Sequence, residues 1–465
     1  MSEETDPPLL NRNITLISVS AIGILLTGVV TIVWLVLNNI ELETRRQAVI
    51  SLETMVSFTN SSIRDTWAES HLLNAKIWAS DKSLIHSIKK QLNNAAVGKS
   101  LTDSAALSDI RRYFHQRLKQ RDAVGMFIIP PNFQNIASMR NTNINHPNLV
   151  AIHQKNLLQQ VFNGELKISL PMPSDIPLPD DSGLIVDDYP TMFALAPVKD
   201  EQENIIATLS VRIDPHHNFS LLSKLGRIGQ TGETYLFSEK GTMLTDSRFN
   251  KQLVDIGLLK SGQSSMLNID IREPGINLME GIKGKQERKY QPLTYIIQQA
   301  LMHQKGSSTI AYNDYRGVPV LGAWRWDKEL NMGFVSEIDE DEVLHPYTRS
   351  RNVILSLLFG SVALTLALIV IIQHISRKSA LKLQQSELFL RAVMDNAADA
   401  IITITEHGIV TTFNDSAIKL FGYESEEVIG NNVSMLMPEP YRSQHDHYLN
   451  TYMKGGKGRL VSEYF

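Results

Sequence analysis

Two long apolar segments divide the otherwise polar chain into three parts. Residues 14–37 hold no ionisable side chain over about 24 positions, and residues 353–372 hold none over about 20. A helix rises about 1.5 Å per residue, so either segment can cross a hydrocarbon core of roughly 30 Å. A buried core helix is the alternative, although apolar runs this long are more typical of membrane spans. The pattern predicts two transmembrane helices.

The flanks of these segments bear on topology. Glu3, Glu4 and Asp6 stand where a cleavable signal peptide has basic residues, which predicts that the first helix is retained. Basic residues on the two sides of each segment differ little in number and only lean towards cytoplasmic termini. Two spans place both termini on one side, so residues 1–13 are predicted to be cytoplasmic and residues 38–351 to form the domain across the membrane.

Residues 38–351 change from a helical to a strand-like pattern. Apolar residues recur at helical spacing from about 39 to 94, which predicts a long stalk helix with Trp67 and Trp78 as packing residues. A second helix is predicted at 104–119. Short β-like runs bounded by Pro and Gly follow at 124–129, 191–197, 205–213, 233–238, 241–245, 317–326 and 332–338. The predicted fold class is α+β, with two antiparallel sheets in tandem.

Charge and composition narrow the chemistry. The formal net charge is -4, from 45 basic and 49 acidic residues without a basic stripe, so we expect no nucleic-acid partner. The chain has no cysteine, which excludes disulfides, thiolate catalysis and cysteine-ligated metals. Any metal site would need His and carboxylate ligands, and no metal site is predicted.

Three segments of the domain resemble extracytoplasmic double Cache receptors, which have tandem PAS-like sheets beside a long stalk helix. The segments are a strand, turn and strand signature at 227–249, later strands at 313–326, and distal strands at 190–197 and 212–214. In the signature, Gly241 lies where a turn requires a positive φ. The resemblance covers about residues 39 to 345 and implies a bacterial inner-membrane protein with a periplasmic sensor domain.

Double Cache receptors bind a small ligand on the sheet of one half, usually the distal half. The distal candidates are Arg140, Tyr189 and Asp214, because an Arg fork or an Asp suits a carboxylate or an amine. The proximal candidates are Asp314, Tyr315, Arg316, Trp324 and Trp326. The alternatives are that the distal residues cap turns or lie in solvent, and that the proximal aromatic residues are sheet packing. His216 and His217 are interpreted as part of a solvated loop.

After the second apolar segment, a helical linker is predicted at 373–391. Leu381 and Leu388 lie one heptad apart there, which is typical of a dimeric helix. Residues 389–423 are very similar to the opening of PAS domains. This resemblance assigns residues 392–465 to a PAS domain.

The local pattern of the PAS-like segment agrees with that resemblance. A strand at 400–405, a turn at 407–408 and a returning strand at 409–413 are predicted. Asn414 or Asp415 then caps a helix ending at Phe421, and Gly422 is its C-cap.

Residues 437–453 resemble the PAS subclass of haem-binding oxygen-sensor kinases, in which the histidine of a His-Asp pair is the proximal iron ligand. That histidine is His445 here, and a neutral imidazole suits haem iron. His447 lies about 200° further around the helix, so it cannot face the same iron. Thr451 stands where the subclass has a propionate-binding arginine. The alternative is that His445 lies on the helix surface without a cofactor, so no cofactor is certain.

The end of the sequence leaves the output open. PAS domains continue with three antiparallel strands where this sequence stops at Phe465, so we expect an incomplete domain or a truncated gene product. The sequence lacks the motifs of a histidine kinase, a diguanylate cyclase, a cyclic-dinucleotide phosphodiesterase and a P-loop NTPase. The chain itself is therefore not expected to be an enzyme, and intact relatives would carry a sensor histidine kinase or a diguanylate cyclase.

Together these features predict a two-pass, homodimeric signal-transduction receptor. A small periplasmic ligand would act on the Cache domain, and the second span would relay the signal to the PAS domain. Its cytoplasmic partner would be a response regulator of a two-component system or a full-length receptor. Two alternatives stay open: a haem-based gas or redox sensor with His445 as the proximal ligand, and an interaction protein that dimerises without an output.

Overall fold

The computed structural model describes residues 9–119, 123–179, 183–281 and 286–453. The chain forms two compact units, Met1–Asn352 and Val353–Phe465. The first unit contains two antiparallel sheets, which we call the larger sheet and the smaller sheet. The predicted fold class, α+β with tandem antiparallel sheets beside a long helix, is confirmed.

The stalk is the helical stretch that precedes both sheets, and it consists of Leu9–Ser61 (α1), a π-helical turn at Ser62–Ala68 and Glu69–Ala79 (α2). The prediction of one helix to about residue 94 is wrong, because the chain breaks at Ser80 and restarts with Asp81 as the N-cap of the next helix. Asp81 accepts hydrogen bonds from the backbone N–H groups of Ser83 and Leu84, which satisfies donors that a continuing helix would have paired. Two helices follow, Lys82–Ala96 (α3) and Ala105–Lys119 (α4).

The larger sheet has six strands and an adjoining hairpin. In chain order the elements are Ala123–Ile129 (β1), Ala137–Ser138 (β2), Leu149–His153 (α5), Lys155–Phe162 (α6), Lys167–Ile168 (β3), Met172–Pro173 (β4), Leu178–Pro179 (β5), Ile185–Val186 (β6), Pro190–Lys199 (β7) and Ile205–Ile213 (β8). The strand order is β2-β1-β8-β7-β3, with β4 on β7, and β5 pairs with β6 as the hairpin. The three long strands match the predicted runs.

The smaller sheet follows a short connecting helix. Its elements are Asn218–Leu225 (α7), Glu233–Phe237 (β9), Asn250–Asp255 (α8), Tyr295–Met302 (α9), Lys305–Asn313 (β10), Pro319–Asp327 (β11) and Met332–Asp339 (β12), in the strand order β10-β11-β12-β9. The predicted strand at 241–245 is wrong, because Thr242 and Met243 form only isolated bridges after the Gly241 turn. The sequence also missed β10, whose polar start and edge position give little apolar alternation.

Three apolar cores position these sheets in the described residues, and one of them lies between the smaller sheet and the helices α8 and α9. The inner face of the stalk packs on both sheets, with Val49, Leu52 and Ile63 at most 3% exposed. Trp67 and Trp78 are buried there, which confirms them as packing residues. A second core, between α5, α6 and the opposite face of the larger sheet, contains Phe193. Residues on alternate positions of β7 and β8 therefore face two different environments.

Among the residues that the structure describes, two helical stretches are long and apolar enough to cross a membrane, Ser20–Ala79 and Glu340–Asp395 (α10). The most apolar window is only 6% buried in the first stretch and 0% buried in the second. These low values contradict the alternative of buried core helices. Helix α10 runs through the predicted second span and the predicted linker without a break.

The second unit continues from α10 with a small mixed fold. Its elements are Ile402–Ile404 (β13), Val410–Phe413 (β14), Asp415–Phe421 (α11), Ser425–Val428 (α12), a 3-10 turn at Val433–Leu436 and Tyr441–Met453 (α13). Asn414 caps α11 by accepting the Ala417 N–H, and Gly422 ends it with φ 73°, as predicted. Asn414 also donates to the carbonyl groups of Met394 and Asp399, so one buried amide ties the end of α10 to the sheet.

Candidate ligand-binding pocket

A cavity of about 240 Å³ lies at one end of β1, β7 and β8 in the larger sheet. It is smaller than the roughly 300–1,000 Å³ of pockets for drug-sized ligands, which favours a small solute. The predicted distal residues Arg140, Tyr189 and Asp214 all line this cavity. The structure therefore brings together three residues that are far apart in the sequence, although their role in binding stays a prediction.

Arg212 is the buried charge of the cavity. It lies on β8, is 5% exposed, and its guanidinium carbon is 5.4 Å from the ring centroid of Phe127 and 5.5 Å from that of Phe193. Nη2 donates to Oδ1 of Asp175 at 3.0 Å, whereas Nε has no hydrogen-bond partner. Burial lowers the pKa of Arg212, and the Asp175 carboxylate opposes this shift. The site holds a desolvated cation whose buried Nε donor is unused.

Thr191 supplies a second unused group. Its side chain is 1% exposed, and Oγ1 has no hydrogen-bond partner among the described residues. In the sheet register, Phe193 of β7 lies opposite Arg212 of β8. Thr191 is two residues before Phe193, so it shares that face of the sheet with Arg212. Buried polar groups are nearly always paired, and two unpaired groups on one cavity wall indicate a site for an acceptor.

The rim of the cavity carries the three predicted residues. Arg140 is exposed and its side chain has no ion pair or hydrogen bond among the described residues. Tyr189 donates its hydroxyl to Oδ2 of Asp214 at 3.1 Å, and Oδ1 of Asp214 accepts the backbone N–H of His216 at 2.9 Å. The rim thus offers one cation and one carboxylate that is already oriented.

Sequence analysis missed Arg212, Thr191 and Asp175 as candidates. A usable signal exists for Arg212, because it interrupts the apolar strand Ile205–Ile213 and lies two residues before Asp214. Burying a charge in such a strand costs free energy unless an opposite charge or hydrogen bonds compensate for it. No comparable signal marks Asp175, whose carboxylate comes from the segment before the hairpin and also accepts from Nδ2 of Asn143 at 2.7 Å.

The predicted proximal residues lie in the interior of the smaller sheet. Nε of Arg316 donates to Asp314 at 2.6 Å and Nη2 donates to Asp339 at 2.7 Å. The Arg316 guanidinium carbon is 3.6 Å from the ring centroid of Phe249. Burial by itself lowers the pKa of Arg316, but the two carboxylates outweigh it and the pKa is raised. These residues form a closed ion-pair cluster.

The aromatic members of the proximal set also have internal partners. Tyr315 donates its hydroxyl to Glu233 at 2.6 Å, and Nε1 of Trp324 donates to the carbonyl of His303 at 3.2 Å. The Trp326 ring lies 5.7 Å from that of Phe237. The packing alternative describes these contacts, and a ligand-binding role for this set stays a prediction.

Two buried carboxylates lie opposite each other in the smaller sheet. Glu233 of β9 pairs in register with Glu337 of β12, and both are at most 3% exposed. Glu337 accepts the hydroxyls of Tyr235 and Tyr312, each at 2.8 Å. Burial, followed by the charge of Asp314, raises the pKa of Glu337 to about 8. Burial also raises the pKa of Glu233. A proton kept on Glu337 near neutral pH relieves its repulsion with the charges of Asp314 and Glu233.

The interpretation of His216 as a solvated residue is wrong. Its side chain is 12% exposed, its ring lies 5.0 Å from that of Tyr189, and Nδ1 is 3.0 Å from Oδ2 of Asp246. His216 therefore joins the rim of the cavity to the loop that follows β9. No group of three or more His, Asp and Glu side chains suited to a metal ion occurs in the described part of the chain.

In the second unit, His445 lies on α13, which packs against the 3-10 turn at Val433–Leu436. Its side chain is 12% exposed, and Nδ1 is 3.4 Å from Oδ1 of Asp446. Asn432 donates to the same Asp446 oxygen at 3.0 Å. A largely covered imidazole has the donor chemistry of an axial haem ligand. His447 is exposed.

Comparison with known proteins identifies the second unit. Residues 388–462 match the PAS fold family. The sensor protein FixL of Bradyrhizobium diazoefficiens is 46% identical over 86 residues, which are 17% of this chain and 17% of that protein. The oxygen sensor protein DosP of Escherichia coli K12 is 42% identical over 73 residues, which are 16% of this chain and 9% of that protein. The chain thus spans less than a fifth of either relative.

Two solved sensor domains show a weak likeness to about two thirds of this chain. The sensor domain of the V. cholerae histidine kinase DctB is 14% identical, with a TM-score of 0.36, and the match covers 66% of this chain and 98% of that domain. The ligand-binding domain of the Pseudomonas aeruginosa amino acid chemoreceptor PctB is 13% identical, with a TM-score of 0.39, covering 67% and 97%. With TM-scores this low, neither likeness carries the assignment of the pocket, which depends on the contacts above. Residues 388–462 are a PAS segment, and a two-sheet domain between two apolar helices precedes it.

Proposed function

We propose that this chain is a transmembrane receptor whose larger sheet binds a small solute carrying a carboxylate. The observation that carries this proposal is the pair of buried groups without partners, Nε of Arg212 and Oγ1 of Thr191, on the wall of one cavity. A carboxylate would accept hydrogen bonds from both, and bonds to charged groups are about twice as strong as neutral ones. Exposed Arg140 adds a second cation at the rim.

The rim also favours a positive group on the same solute. Asp214 is oriented by Tyr189 and by the backbone N–H of His216, and it has the charge to accept an ammonium. Amino acids and amino-substituted carboxylic acids therefore join simple carboxylates as the proposed ligand class. A pocket with Arg and Asp at separate points selects for the spacing between the two ligand charges.

The contacts of the first unit supply a route towards both apolar helices. Arg45 of α1 pairs with Glu340 in the first turn of α10 at 2.6 Å. Glu342, also in that turn, accepts the backbone N–H groups of Gln230 and Thr231, each at 2.7 Å. The first turn of α10 is thus held to both the stalk and the entry of β9. A shift of either element changes the position of the helix that leads to the second span.

The membrane and the partners belong to this proposal. We place the receptor in a bacterial inner membrane as a two-pass homodimer, with residues 38–351 in the periplasm and both termini in the cytoplasm. The ligand would shift the balance between two arrangements of the helices through its differential affinity, typically about 1–3 kcal/mol. The PAS segment would pass this change to a histidine kinase or a cyclic-dinucleotide enzyme, as a domain of a longer product or in a partner chain.

A ligand screen on the full chain in nanodiscs tests the pocket. Thermal unfolding is recorded with panels of carboxylic acids, amino acids and amines, because a ligand at 100 times its Kd stabilises the native state by about 2.7 kcal/mol. The Arg212→Met variant keeps an apolar stem against Phe127 and Phe193, and Arg112→Met is the matched control on an exposed side chain.

We expect carboxylate-bearing compounds to raise the unfolding temperature of the wild type and of Arg112→Met, and to raise that of Arg212→Met much less. A stabilising compound without a carboxylate or other oxyanion would contradict the proposed ligand class. Equal stabilisation of Arg212→Met would exclude this cavity as the binding site.

A second candidate function is haem-based sensing by the PAS segment. It is favoured by the largely covered side chain of His445 on α13 and by the 46% identity to FixL. His445 would be the axial ligand of a bound haem, which would supply the gas-binding or redox chemistry. Reconstitution of the full chain with haemin tests this: a Soret band that is lost in His445→Ala but kept in His447→Ala would support it. No band, or equal bands in all three proteins, would exclude it.

A further inference from the structure

The stalk contains a conformational irregularity at the point where it passes from one sheet to the other. Residues Ser62–Ala68 form a π-helical turn, yet Ser61 and Glu69 on its two sides have ordinary right-handed helical angles. A π turn is a rare insertion into an α-helix and often marks a functional site. It is not a chain break, since α1 and α2 continue directly on either side.

The partners of the stalk change at this turn. Before it, α1 packs against β10, β11 and β12 of the smaller sheet, and after it, α2 packs against β7 and β8 of the larger sheet. The turn itself packs against the connecting helix α7, where the rings of Trp67 and Phe219 are 5.0 Å apart. The π turn is therefore the joint between the part of the stalk beside the cavity-bearing sheet and the part that leads to the first apolar segment.

Buried polar atoms without partners cluster at this joint. Oγ1 of Thr59, Oδ1 of Asn60 and Nε1 of Trp67 have no hydrogen-bond partner among the described residues, although these residues are at most 6% exposed. In the regular part of α1, the hydroxyls of Thr44 and Thr54 each donate to the carbonyl four residues earlier. Leaving a buried polar group without a hydrogen bond costs free energy, so packing holds the joint in a conformation that is unfavourable for these polar groups.

One side of the joint is fixed to the smaller sheet. Nδ2 of Asn60 donates to Oδ2 of Asp327 at 2.8 Å, and Nη1 of Arg64 lies 3.9 Å from the same oxygen. Gly226 also approaches closely, since a Cβ there would lie 3.0 Å from Oγ1 of Thr59. On the other side of the joint, α2 packs against β7 and β8 of the larger sheet, so a change at the joint displaces the two sides relative to each other.

We propose that residues 62–68 are a register joint, at which the stalk exchanges between the π turn and a regular α-helix. A π turn holds one residue more than an α-helix between the same flanks. Conversion to α-helix therefore shifts one flank by one residue, which is about 1.5 Å along the axis and about 100° around it. Because that shift displaces a packed face of the stalk, the regular helix is the less populated of the two registers. This shift couples the position of the first apolar segment to the larger sheet. The role of the cavity as the source of that motion rests on the proposed function, whereas the joint itself does not.

Hydrogen exchange on the full chain in nanodiscs, without added ligand, is the first test. Exchange between the two registers opens the backbone hydrogen bonds of the turn. Amides of residues 62–68 should therefore exchange at least tenfold faster than those of the two flanking α-helical segments, 49–56 and 70–79. Equally slow exchange in all three segments would overturn the proposal, because it would show a rigid turn.

A pair of single-residue deletions is the second test. Deletion of exposed Thr66 should convert the turn to α-helix, while the residues of both flanks keep the same sides towards the core. The unfolding temperature should therefore stay within a few degrees of the wild type, and the fast amide exchange should disappear. Deletion of exposed Ser57, in regular α1, is the matched control, because it rotates Val49, Leu52 and Val56 away from the core. It should lower the unfolding temperature by more than ten degrees. Equal destabilisation by the two deletions would contradict the register joint.

Discussion

The larger and smaller sheets share an antiparallel architecture but handle buried charge in different ways. In the smaller sheet, Arg316 contacts two carboxylates and Glu337 accepts two tyrosine hydroxyls. In the larger sheet, Arg212 contacts one carboxylate, and its Nε is left without a partner beside a cavity. Burial penalises a charge unless hydrogen bonds compensate for it. Under the proposed function, the Arg316 cluster of the smaller sheet is completed by the protein's own carboxylates, whereas Arg212 of the larger sheet is completed by a ligand.

The comparison also distinguishes stability from binding. Substitutions in the closed cluster of the smaller sheet should change the free energy of unfolding and leave ligand affinity unchanged. Substitutions at the cavity of the larger sheet should do the reverse. Each prediction below tests one side of this contrast.

The largest effect is expected for Arg316→Ala in the smaller sheet. This change leaves Asp314, which is 2% exposed, without its cation, and breaking a buried ion pair costs about 3–5 kcal/mol. Denaturant unfolding measures the loss. Arg112→Ala is the control, because its side chain is 79% exposed and its ion pair contributes little. A loss as small as that of the control would refute the closed cluster.

The next effect concerns pH and Glu337. Its pKa in the folded protein is raised to about 8, above the ordinary value of 4.5. Below the ordinary value, Glu337 is protonated in the folded and in the unfolded protein. Between the two values it is ionised in the unfolded protein but still protonated in the folded protein. The free energy of unfolding therefore falls as the pH rises and levels off above about 8. We expect the free energy of unfolding to drop by a few kcal/mol between pH 5 and pH 8.

Glu337→Gln tests this assignment, because its neutral side chain does not titrate. The fall in stability between pH 5 and pH 8 should be markedly smaller in the variant, with a remainder from Glu233, whose pKa is also raised. Exposed Glu329→Gln is the control and should keep the wild-type profile. An unchanged profile in Glu337→Gln would show that another group titrates in this range.

A smaller effect is expected at the cavity. Arg212→Met should weaken binding of a stabilising carboxylate by about tenfold to a hundredfold, since a hydrogen bond to a charged group contributes about 1.5–3 kcal/mol. Arg140→Ala should weaken it less, because solvent screens its exposed guanidinium. Titration calorimetry compares the two. The opposite order would place the carboxylate at the rim rather than at the wall.

The smallest effect is expected for Tyr189→Phe. The change removes the hydroxyl that orients Asp214 and keeps the ring against His216. The binding free energy of an amino acid ligand should therefore fall by only about 0.5–1.5 kcal/mol. For an amino acid ligand the Kd should rise up to about tenfold, whereas a simple carboxylate without an amine should bind as before. Equal weakening of both ligands would argue against Asp214 as the ammonium site.

The sequence predicted the features that depend on neighbours along the chain. The apolar segments, the helix at 104–119, the positive φ of Gly241 and the caps at Asn414 and Gly422 all follow from local sterics and hydrogen bonding. The sequence-based prediction failed where the local pattern is weak. The predicted strand at 241–245 forms only isolated bridges, and the stalk ends at Ala79 instead of continuing to about residue 94. The π turn of the stalk was not predicted. That turn lies where the stalk passes from the smaller sheet to the larger sheet.

Within the candidate site, the sequence by itself selected Arg140, Tyr189 and Asp214 because of their residue types and their positions near strand ends. Only the tertiary structure decided that they line one cavity, that Arg212 and Thr191 complete its wall, and that Asp314 and Arg316 close upon each other. The physical reason is that burial and pairing are properties of contacts between distant segments. A sequence specifies which groups carry charge, but the fold determines which of those charges lack a partner.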